Sequence, residues 1–332
     1  MRVQAATIGE LFGAILAADA RPVSGEVLLR KGIRLGEDHR SALAGLNGLK
    51  LHVVDLEPAE LDQDAAAGRL AEALAGHGTR AAPPEHGQVR IQATRRGLLR
   101  VRAEAVRAVN GLPPLLLFTW PDGHVVVPGD EVAGAKSAAL GTPEPVLARA
   151  EALLGKTPAI VVAPFVPRRV AVVVTDRLPE RGRELVAAAV RRKIEWFDST
   201  VTAVSEVPHQ TDAVAAALRD AIGAGADLVL ISGGNPLDPL DHVLVALRTL
   251  GGDVVRAGVP AHPGSMVWAG QLGSVVVLGV ATCAGFGRAT AFDLVLARLL
   301  AGEEVTHAVE SIGAGGLLDG ASGTPFPPYD RG

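Results

Sequence analysis

Residues 232–241, with the sequence SGGNPLDPLD, combine residue types that are well suited to binding a phosphate group. Gly233 and Gly234 can adopt positive φ, which lets an anionic ligand approach the backbone closely. The N–H groups at the start of a following helix would point toward the same ligand. Asp238 and Asp241 could hold Mg²⁺ there, because one or two protein carboxylates suffice when phosphate oxygens complete the coordination. We therefore predict a phosphate site with Asp238 and Asp241 as candidate catalytic and metal-binding residues.

The two carboxylates also have a structural interpretation. Asp238 precedes Pro239, a residue type favoured at the first position of a helix, so Asp238 could be the N-cap. Asp241 lies three residues further on and would complete an arrangement close to a capping box. Aspartate is common at such positions, which favours capping. A capping carboxylate lies beside the helix terminus that would hold the phosphate, so the two roles can coexist.

The glycine turn follows the apolar run LVLI, which lacks polar alternation and predicts a parallel strand buried on both faces. Predicted strands and helices alternate from residue 168 onward. The strands cover residues 170–175, 200–208, 228–232 and 254–259, the helices cover 181–197, 211–223, 239–250 and 289–301, and a hairpin-like pair covers 266–278. Such alternation requires a mostly parallel sheet with right-handed crossovers. The predicted fold class is therefore α/β, with a three-layer domain around a mostly parallel sheet over residues 168–303.

Smaller modules are predicted on either side of this domain. Residues 1–78 are predicted to form a small α+β module that ends with an amphipathic helix over residues 62–75. After a linker rich in glycine and proline, residues 85–155 are predicted to form a β-rich module in which residues 121–123, PDG, make a hairpin turn. Residues 304–332 are predicted to be a C-terminal arm, since glycine and proline are frequent there.

Residues that directly follow predicted strands are the candidates for ligand contacts, because open α/β sheets bind ligands beyond the carboxyl ends of their strands. Four segments qualify, and their candidate ligand-binding residues are Thr175, Asp176, Ser232, Gly233, Gly234, Asn235, Pro263, Gly264, Ser265, Gly279, Ala281 and Thr282. By contrast, His209 and His262 lie in turns flanked by proline, where we interpret them as exposed structural residues. Cys283 follows the last of these strands and is interpreted as a small inert residue.

Composition limits the function classes that remain. The chain has 332 residues, of which 48% are hydrophobic and 20% charged, and its net charge is −4, so no general basic field attracts nucleic acid or anionic membranes. One cysteine cannot form an internal disulfide or a cysteine-rich zinc site, and it favours a reducing cytoplasm. We expect neither a signal peptide nor a membrane span.

The order of four segments resembles the molybdopterin-binding domain of molybdenum cofactor biosynthesis proteins. These segments are TD, SGG-x(3)-D-x(2)-D, GVPAHPGSMVWAGQLG and VVVLGVATCAGFG, and they lie within residues 168–303. The resemblance implies that molybdopterin is the ligand or substrate. It also implies that the family's glycine turn lies at residues 232–234 and its acidic pair at Asp238 and Asp241. The strand-end acidic position of the family then corresponds to residues 175–176, its PG turn to 263–264 and its last loop to 279–285. The resemblance also implies a homo-oligomer. The run GAGGLL at residues 313–318 is similar to one in a bacterial subgroup of these proteins.

The chain also departs from the molybdotransferases of that family. Residues 279–284, GVATCA, lack the proline and asparagine of a GxPGNP-like loop, and no DNSAMDGYA-like segment is present. Residues 29–36, LRKGIRLG, resemble part of the accessory domain but lie at the N-terminal end.

Two functions therefore stay open. One is an enzyme that inserts molybdate or transfers a nucleotide with Mg²⁺. The other is a noncatalytic molybdopterin carrier or sensor that docks a partner biosynthetic protein or a molybdoenzyme. A third, less specific interpretation is an unrelated α/β enzyme acting on another phosphorylated metabolite.

Overall fold

The computed structural model of the protein describes residues 8–22, 25–46, 49–175, 179–280, 289–312 and 318. The chain divides into two compact units. The first comprises Met1–Arg95, Leu99–Asp122 and Pro128–Val162, and the second comprises Arg96–Leu98, Gly123–Val127 and Ala163–Gly332. Among the described residues, no helix is long and apolar enough to cross a membrane.

The chain up to residue 163 forms short strands and four α-helices among the described residues. In chain order these elements are β1 (Ile15–Leu16), α1 (Arg40–Ala44), β2 (Val53–Val54), β3 (Glu60–Asp62), α2 (Gln63–Leu74), β4 (Thr79–Ala81), β5 (Gln88–Ala93), β6 (Gly97–Val101), α3 (Ala103–Asn110), β7 (Leu115–Thr119), β8 (Val125–Val126), β9 (Glu131–Ser137), β10 (Gly141–Pro143), α4 (Glu144–Leu154) and β11 (Ile160–Ala163), with 3₁₀ turns at Ile8–Leu11 and Glu37–His39.

An antiparallel sheet in the order β4-β5-β9-β7 packs against α2 in the first unit. The helix begins where the sequence predicts it, because the Asp62 carboxylate accepts a hydrogen bond from Ala65 N–H at 2.9 Å and caps the first turn. Arg69 of α2 donates to Glu144 and Glu151 of α4, and these hydrogen bonds raise the pKa of the guanidinium. The two helices are therefore joined by an ion-pair network as well as by apolar packing.

This half differs from the sequence prediction in several features. Residues 79–81, expected in the linker, form β4 and pair with β5. The PDG turn does not close a hairpin, since β7 pairs with β9 while β8 pairs with β6. A turn signal fixes a local bend but does not choose the partner of the next strand. The helix α3 was not expected, although its first turn carries Glu104 and its last turn Arg107, charges that suit the helix dipole.

The second unit continues as an alternation of strands and helices. Its elements are β12 (Arg169–Val174), α5 (Glu180–Trp196), β13 (Thr200–Glu206), α6 (Thr211–Gly223), β14 (Leu228–Ser232), α7 (His242–Thr249), β15 (Asp253–Ala257), β16 (Trp268–Leu272), β17 (Val275–Val280), α8 (Ala291–Leu300) and α9 (Val305–Glu310).

These strands form one six-stranded sheet in the order β13-β12-β14-β17-β16-β15. Three of its five neighbouring pairings are parallel and two are antiparallel, so the sheet is mixed. The change of direction comes from the turn at Gly273, which has φ of 60° and reverses the chain between β16 and β17. The expected parallel arrangement is found for β13, β12, β14 and β17, and the glycine turn directly follows β14.

Side chains of β12 alternate between two hydrophobic clusters. Val172 and Val174 pack with residues of α5 and α8, whereas Ala171 and Val173 pack with residues of α6 and α7. A strand whose two faces are both covered needs apolar residues at every position, which explains the absence of polar alternation.

The first of these clusters extends beyond the segment predicted as the domain. Val305, Ala308 and Val309 of α9 belong to it, so the segment expected as an arm begins with a packed helix. Leu98 and Val125 belong to it as well and are paired across β6 and β8. Residues 313–317 and 319–332 of the expected arm lie outside the described residues.

Candidate anion-binding site

The carboxyl ends of β12 and β14 bring two predicted ligand-binding residues together. The strands are parallel neighbours, with Val174 opposite Ser232. Thr175 is 4% exposed, and its Oγ1 donates to the Ser232 carbonyl oxygen at 2.7 Å while its N–H donates to Ser232 Oγ at 3.3 Å. These two bonds fix the point at which the chain leaves β14.

The two glycines that follow adopt a conformation that few other residues accept. Gly233 has φ of 78° and Gly234 has φ of 90°. Their N–H groups donate to no acceptor in the described part of the chain, and both residues are partly accessible. Residues 232–235, named the glycine bend from here on, therefore present two backbone donors at the edge of the sheet that have no acceptor among the described residues.

Asp241 holds the far end of the glycine bend. Its carboxylate is nearly buried, and Oδ2 accepts from Asn235 N–H at 3.0 Å while Oδ1 accepts from Val243 N–H at 2.9 Å. It is the N-cap of α7, which begins at His242. The prediction of a helix from Pro239 with Asp238 as its cap is therefore wrong, because the carboxylate with two backbone donors in reach is that of Asp241.

Asp238 is exposed and makes a local turn instead. Its Oδ1 accepts from Leu240 N–H at 2.9 Å, and its Oδ2 has no partner among the described residues. The Asn235 side chain makes a similar turn, since its Oδ1 accepts from Leu237 N–H at 3.0 Å. The side chains of Asn235 and Asp238 thus hold two local turns, and one Asp238 carboxylate oxygen has no partner among the described residues.

His209 bridges both ends of the glycine bend, a role that the sequence interpretation missed. Its Nδ1 lies 3.2 Å from Thr175 Oγ1, and its Nε2 lies 3.3 Å from Asp241 Oδ2. The imidazole also meets the ring of His242 edge to face at 5.5 Å between centroids. His209 follows β13, the parallel neighbour of β12, so the strand-end rule that selected Thr175 would also have selected this residue.

Trp268 is a second residue of the site that no sequence pattern indicated. It is 1% exposed, and its indole Nε1–H has no hydrogen-bond partner in the described part of the chain. A Cβ placed on Gly234 would lie 3.2 Å from this nitrogen, and one placed on Gly279 would lie 2.0 Å from it. An added Cβ at position 279 would therefore overlap the indole, and one at position 234 would be in tight contact with it.

The remaining predicted residues lie in other surroundings. Residues 263–265 form a turn whose Pro263 carbonyl accepts from Ala291 N–H at 2.9 Å at the start of α8. Among the described residues, no hydrogen bond joins this turn to residues 232–241. Gly279 pairs with Ile231 of β14, one residue before Ser232. Asp176, Ala281 and Thr282 lie outside the described residues.

The donor set for a metal ion is small. Within the described ranges, no group of three or more His, Cys, Asp or Glu side chains is placed to hold a metal. Both carboxylate oxygens of Asp241 accept from backbone N–H groups, whereas Asp238 offers one open oxygen. A single oxygen suits Mg²⁺ only when a ligand phosphate and water complete the coordination.

No protein-family model matches this chain. No curated protein matches it either. Three solved structures that are similar to it are molybdopterin biosynthesis proteins. MoaB from Thermus thermophilus is 23% identical, with a TM-score of 0.31 over 41% of this chain and 98% of its own. MoeA from Pyrococcus horikoshii is 15% identical, with a TM-score of 0.30 over 76% of this chain and 81% of its own.

Mog from Mycobacterium ulcerans is 19% identical, with a TM-score of 0.30 over 44% of this chain and 99% of its own. Similarity at these identities and TM-scores does not assign a function to this chain.

Proposed function

We propose that the protein binds molybdopterin or its adenylylated form in molybdenum cofactor biosynthesis. The observation that carries this proposal is the glycine bend, where the N–H groups of Gly233 and Gly234 have no acceptor within the described ranges and lie beside the N-terminus of α7. Such a terminus favours an anion through its free N–H groups and its dipole. We assign the bend to the phosphate end of the ligand, and the order of motifs over residues 168–303 supports the pterin.

Within this proposal, the two aspartates have different tasks. Asp241 shapes the glycine bend, because its oxygens hold Asn235 and Val243. Asp238 is the carboxylate that would hold Mg²⁺ together with phosphate oxygens. The ion would neutralise phosphate charge during nucleotide transfer or molybdate insertion.

Mass spectrometry of the ligand that stays bound through mild purification tests the substrate class. The host must produce molybdopterin, and the wild-type protein is compared with Gly234→Val and Gly273→Val. Both glycines have positive φ, but only Gly234 is in the glycine bend, and Gly273 has open space around its Cβ position. We expect a pterin with the wild type and Gly273→Val and none with Gly234→Val. Finding a nucleotide or sugar phosphate, with no pterin, would favour an enzyme of another phosphorylated metabolite.

The second candidate is a noncatalytic carrier or sensor of molybdopterin. The small donor set for a metal favours it, and so does an exposed apolar row on the edge strand β7 and the residue after it. Leu116, Phe118 and Trp120 of this row are 44%, 41% and 49% exposed, which suits the docking of a partner biosynthetic protein or a molybdoenzyme. The proposal of a homo-oligomer would use such surfaces as well.

Asp238→Asn separates the two candidates. Asparagine keeps an oxygen for Leu240 N–H and removes the charge that Mg²⁺ requires. For an enzyme, turnover with ATP, Mg²⁺ and molybdate should be abolished, while pterin affinity measured by calorimetry stays within about tenfold, roughly 1.4 kcal/mol. Turnover equal to that of the wild type would remove Asp238 from the mechanism. Binding without turnover in the wild type leaves the carrier.

A further inference from the structure

Trp268 places a polar N–H group inside the second unit without an acceptor among the described residues. The side chain is 1% exposed, and its Nε1 atom is buried. Such a donor costs free energy, because folding has taken away its hydrogen bond to water and supplied no other. Most buried donors in proteins have a partner, so the unpaired indole N–H requires a physical reason.

The indole nitrogen lies where the end of β17 meets the glycine bend. Trp268 pairs with Gly279 across β16 and β17, and Gly279 pairs with Ile231 of β14. The indole extends over Gly279, since a Cβ placed there would lie 2.0 Å from Nε1. Nε1 is also the atom nearest to a Cβ placed on Gly234, at 3.2 Å. Glycine at position 234 thus leaves the indole nitrogen next to the backbone of the bend, at the edge where open α/β sheets bind ligands.

Three donors therefore lie close together at this edge of the sheet. They are the N–H groups of Gly233 and Gly234 and the indole N–H of Trp268, and none of them has an acceptor within the described ranges. An indole nitrogen can donate a hydrogen bond but cannot accept one. A phosphate group suits such a set, because it brings several strong acceptor oxygens at once.

We propose that the indole N–H of Trp268 donates to the phosphate group bound by the glycine bend, so that its acceptor arrives with the ligand. The inference rests on the proposed function, in which the bend holds the phosphate end of the ligand. It adds a side chain that determines specificity, because a ligand without an oxygen at this point would leave the buried donor unpaired. Hydrogen bonds to charged groups are the strong ones, so this bond should contribute clearly to affinity.

Trp268→Phe tests the donor, because phenylalanine keeps an aromatic ring among the residues of α6 and α7 and removes the N–H. Inorganic phosphate is the probe, since it has no ring that could add contacts of its own. Its affinity is measured from the amide shifts of Gly233 and Gly234 in ¹⁵N-labelled protein. We expect Trp268→Phe to bind phosphate about tenfold more weakly than the wild type, or weaker still.

Trp196→Phe is the matched control for this substitution. Trp196 is 8% exposed and belongs to the other hydrophobic cluster of the second unit. The variant therefore removes an indole from a buried position outside the glycine bend. Its phosphate affinity should stay within about twofold of the wild-type value.

The indole signals of the wild type give a second test that needs no variant to fold. Trp120 donates its Nε1–H to the Glu131 carbonyl at 2.9 Å, so its proton is the reference for a hydrogen-bonded indole. In the free protein the Trp268 indole proton, assigned through its proximity to Gly279, should lie upfield of that reference. Phosphate should move it downfield and leave the Trp120 signal unchanged.

The outcomes separate the donor from the site. Phosphate binding by Trp268→Phe as tight as in the wild type overturns the inference. So does a wild-type Trp268 indole proton that does not respond to phosphate, even if Trp268→Phe binds weakly, because the ring would then only pack beneath the bend. If phosphate moves neither the indole proton nor the amides of Gly233 and Gly234, the anion site itself fails. That result is distinct from the one in which the glycine amides respond and the indole does not.

Discussion

Gly234 is the residue on which the shape of the glycine bend depends most directly. Its φ is 90°, and an added Cβ would lie 3.2 Å from Trp268 Nε1 and 3.4 Å from Val243 Cβ. We expect Gly234→Ala to lower the free energy of unfolding by about 1–3 kcal/mol, because backbone strain and close contacts add. Urea denaturation measures the change.

Gly251→Ala is the control for backbone strain alone. Gly251 has φ of 81° but no atom within 4 Å of the Cβ position. Its destabilisation should be smaller than that of Gly234→Ala, at about 1 kcal/mol. Equal losses in the two variants would mean that Trp268 and Val243 do not restrict the bend.

Single residues of the site were predictable where one rule sufficed. The rule that ligands bind at the carboxyl ends of strands selected Thr175 and Ser232, and the structure places them in contact. The cap of α7 was assigned to Asp238 because Pro239 favours a helix start, yet the backbone donors converge on Asp241. His209 was missed because its turn, flanked by proline, was interpreted as structural, although the residue follows β13 as Thr175 follows β12. Its contacts with Thr175 and Asp241 join segments distant in sequence.

At the scale of elements, one buried ion pair joins α5 to α8. Lys193 and Asp293 are fully buried, with Nζ at 2.7 Å and 2.9 Å from the two carboxylate oxygens. Asp293 also accepts from Thr290 N–H at 2.7 Å and so caps its own helix. The pair thus fixes both the contact between the helices and the start of α8.

Lys193→Met should destabilise the protein by about 3–5 kcal/mol, since it leaves the Asp293 charge buried without its cation. The free energy of unfolding from urea titrations gives the value. In the double variant Lys193→Met, Asp293→Asn, the buried charge is gone and an oxygen stays available for Thr290, so part of the loss should return. Lys156→Met, at an exposed position, should change stability by less than about 0.5 kcal/mol. A double variant no more stable than Lys193→Met would contradict this account.

Element types were easier to predict than their pairing. The helix over residues 211–223 and the strand over 228–232 match the observed bounds of α6 and β14, because uninterrupted periodicity reports burial directly. Whether the PDG turn closes a hairpin, and in which direction β16 runs, depend on which strands pair with each other. Packing between segments distant in sequence determines that pairing.

At the scale of the whole molecule, the core of the second unit is not contained in one stretch of sequence. Leu98 and Val125 are 0% and 1% exposed and pack in the same cluster as Val172 and Phe292. Sequence patterns predicted the domain over residues 168–303 from its alternating strands and helices. The sequence indicates short strands near residues 99–101 and 125–127, but it does not show which core they join, since a strand of two residues, such as β8, has too few side chains to identify its partner.

Leu98→Ala therefore tests how the core is built. Removing a buried leucine side chain costs about 2–5 kcal/mol, so amides of β12 and β17 should lose about 30-fold or more of their protection from hydrogen exchange. Peptides from β5 and β9 belong to the other unit and should keep theirs. Leu116→Ala, which removes a half-exposed side chain from β7, is the matched control and should leave β12 and β17 protected. If Leu98→Ala weakens protection in β5 but not in β12, then Leu98 supports the first unit, and the predicted domain would be complete without it.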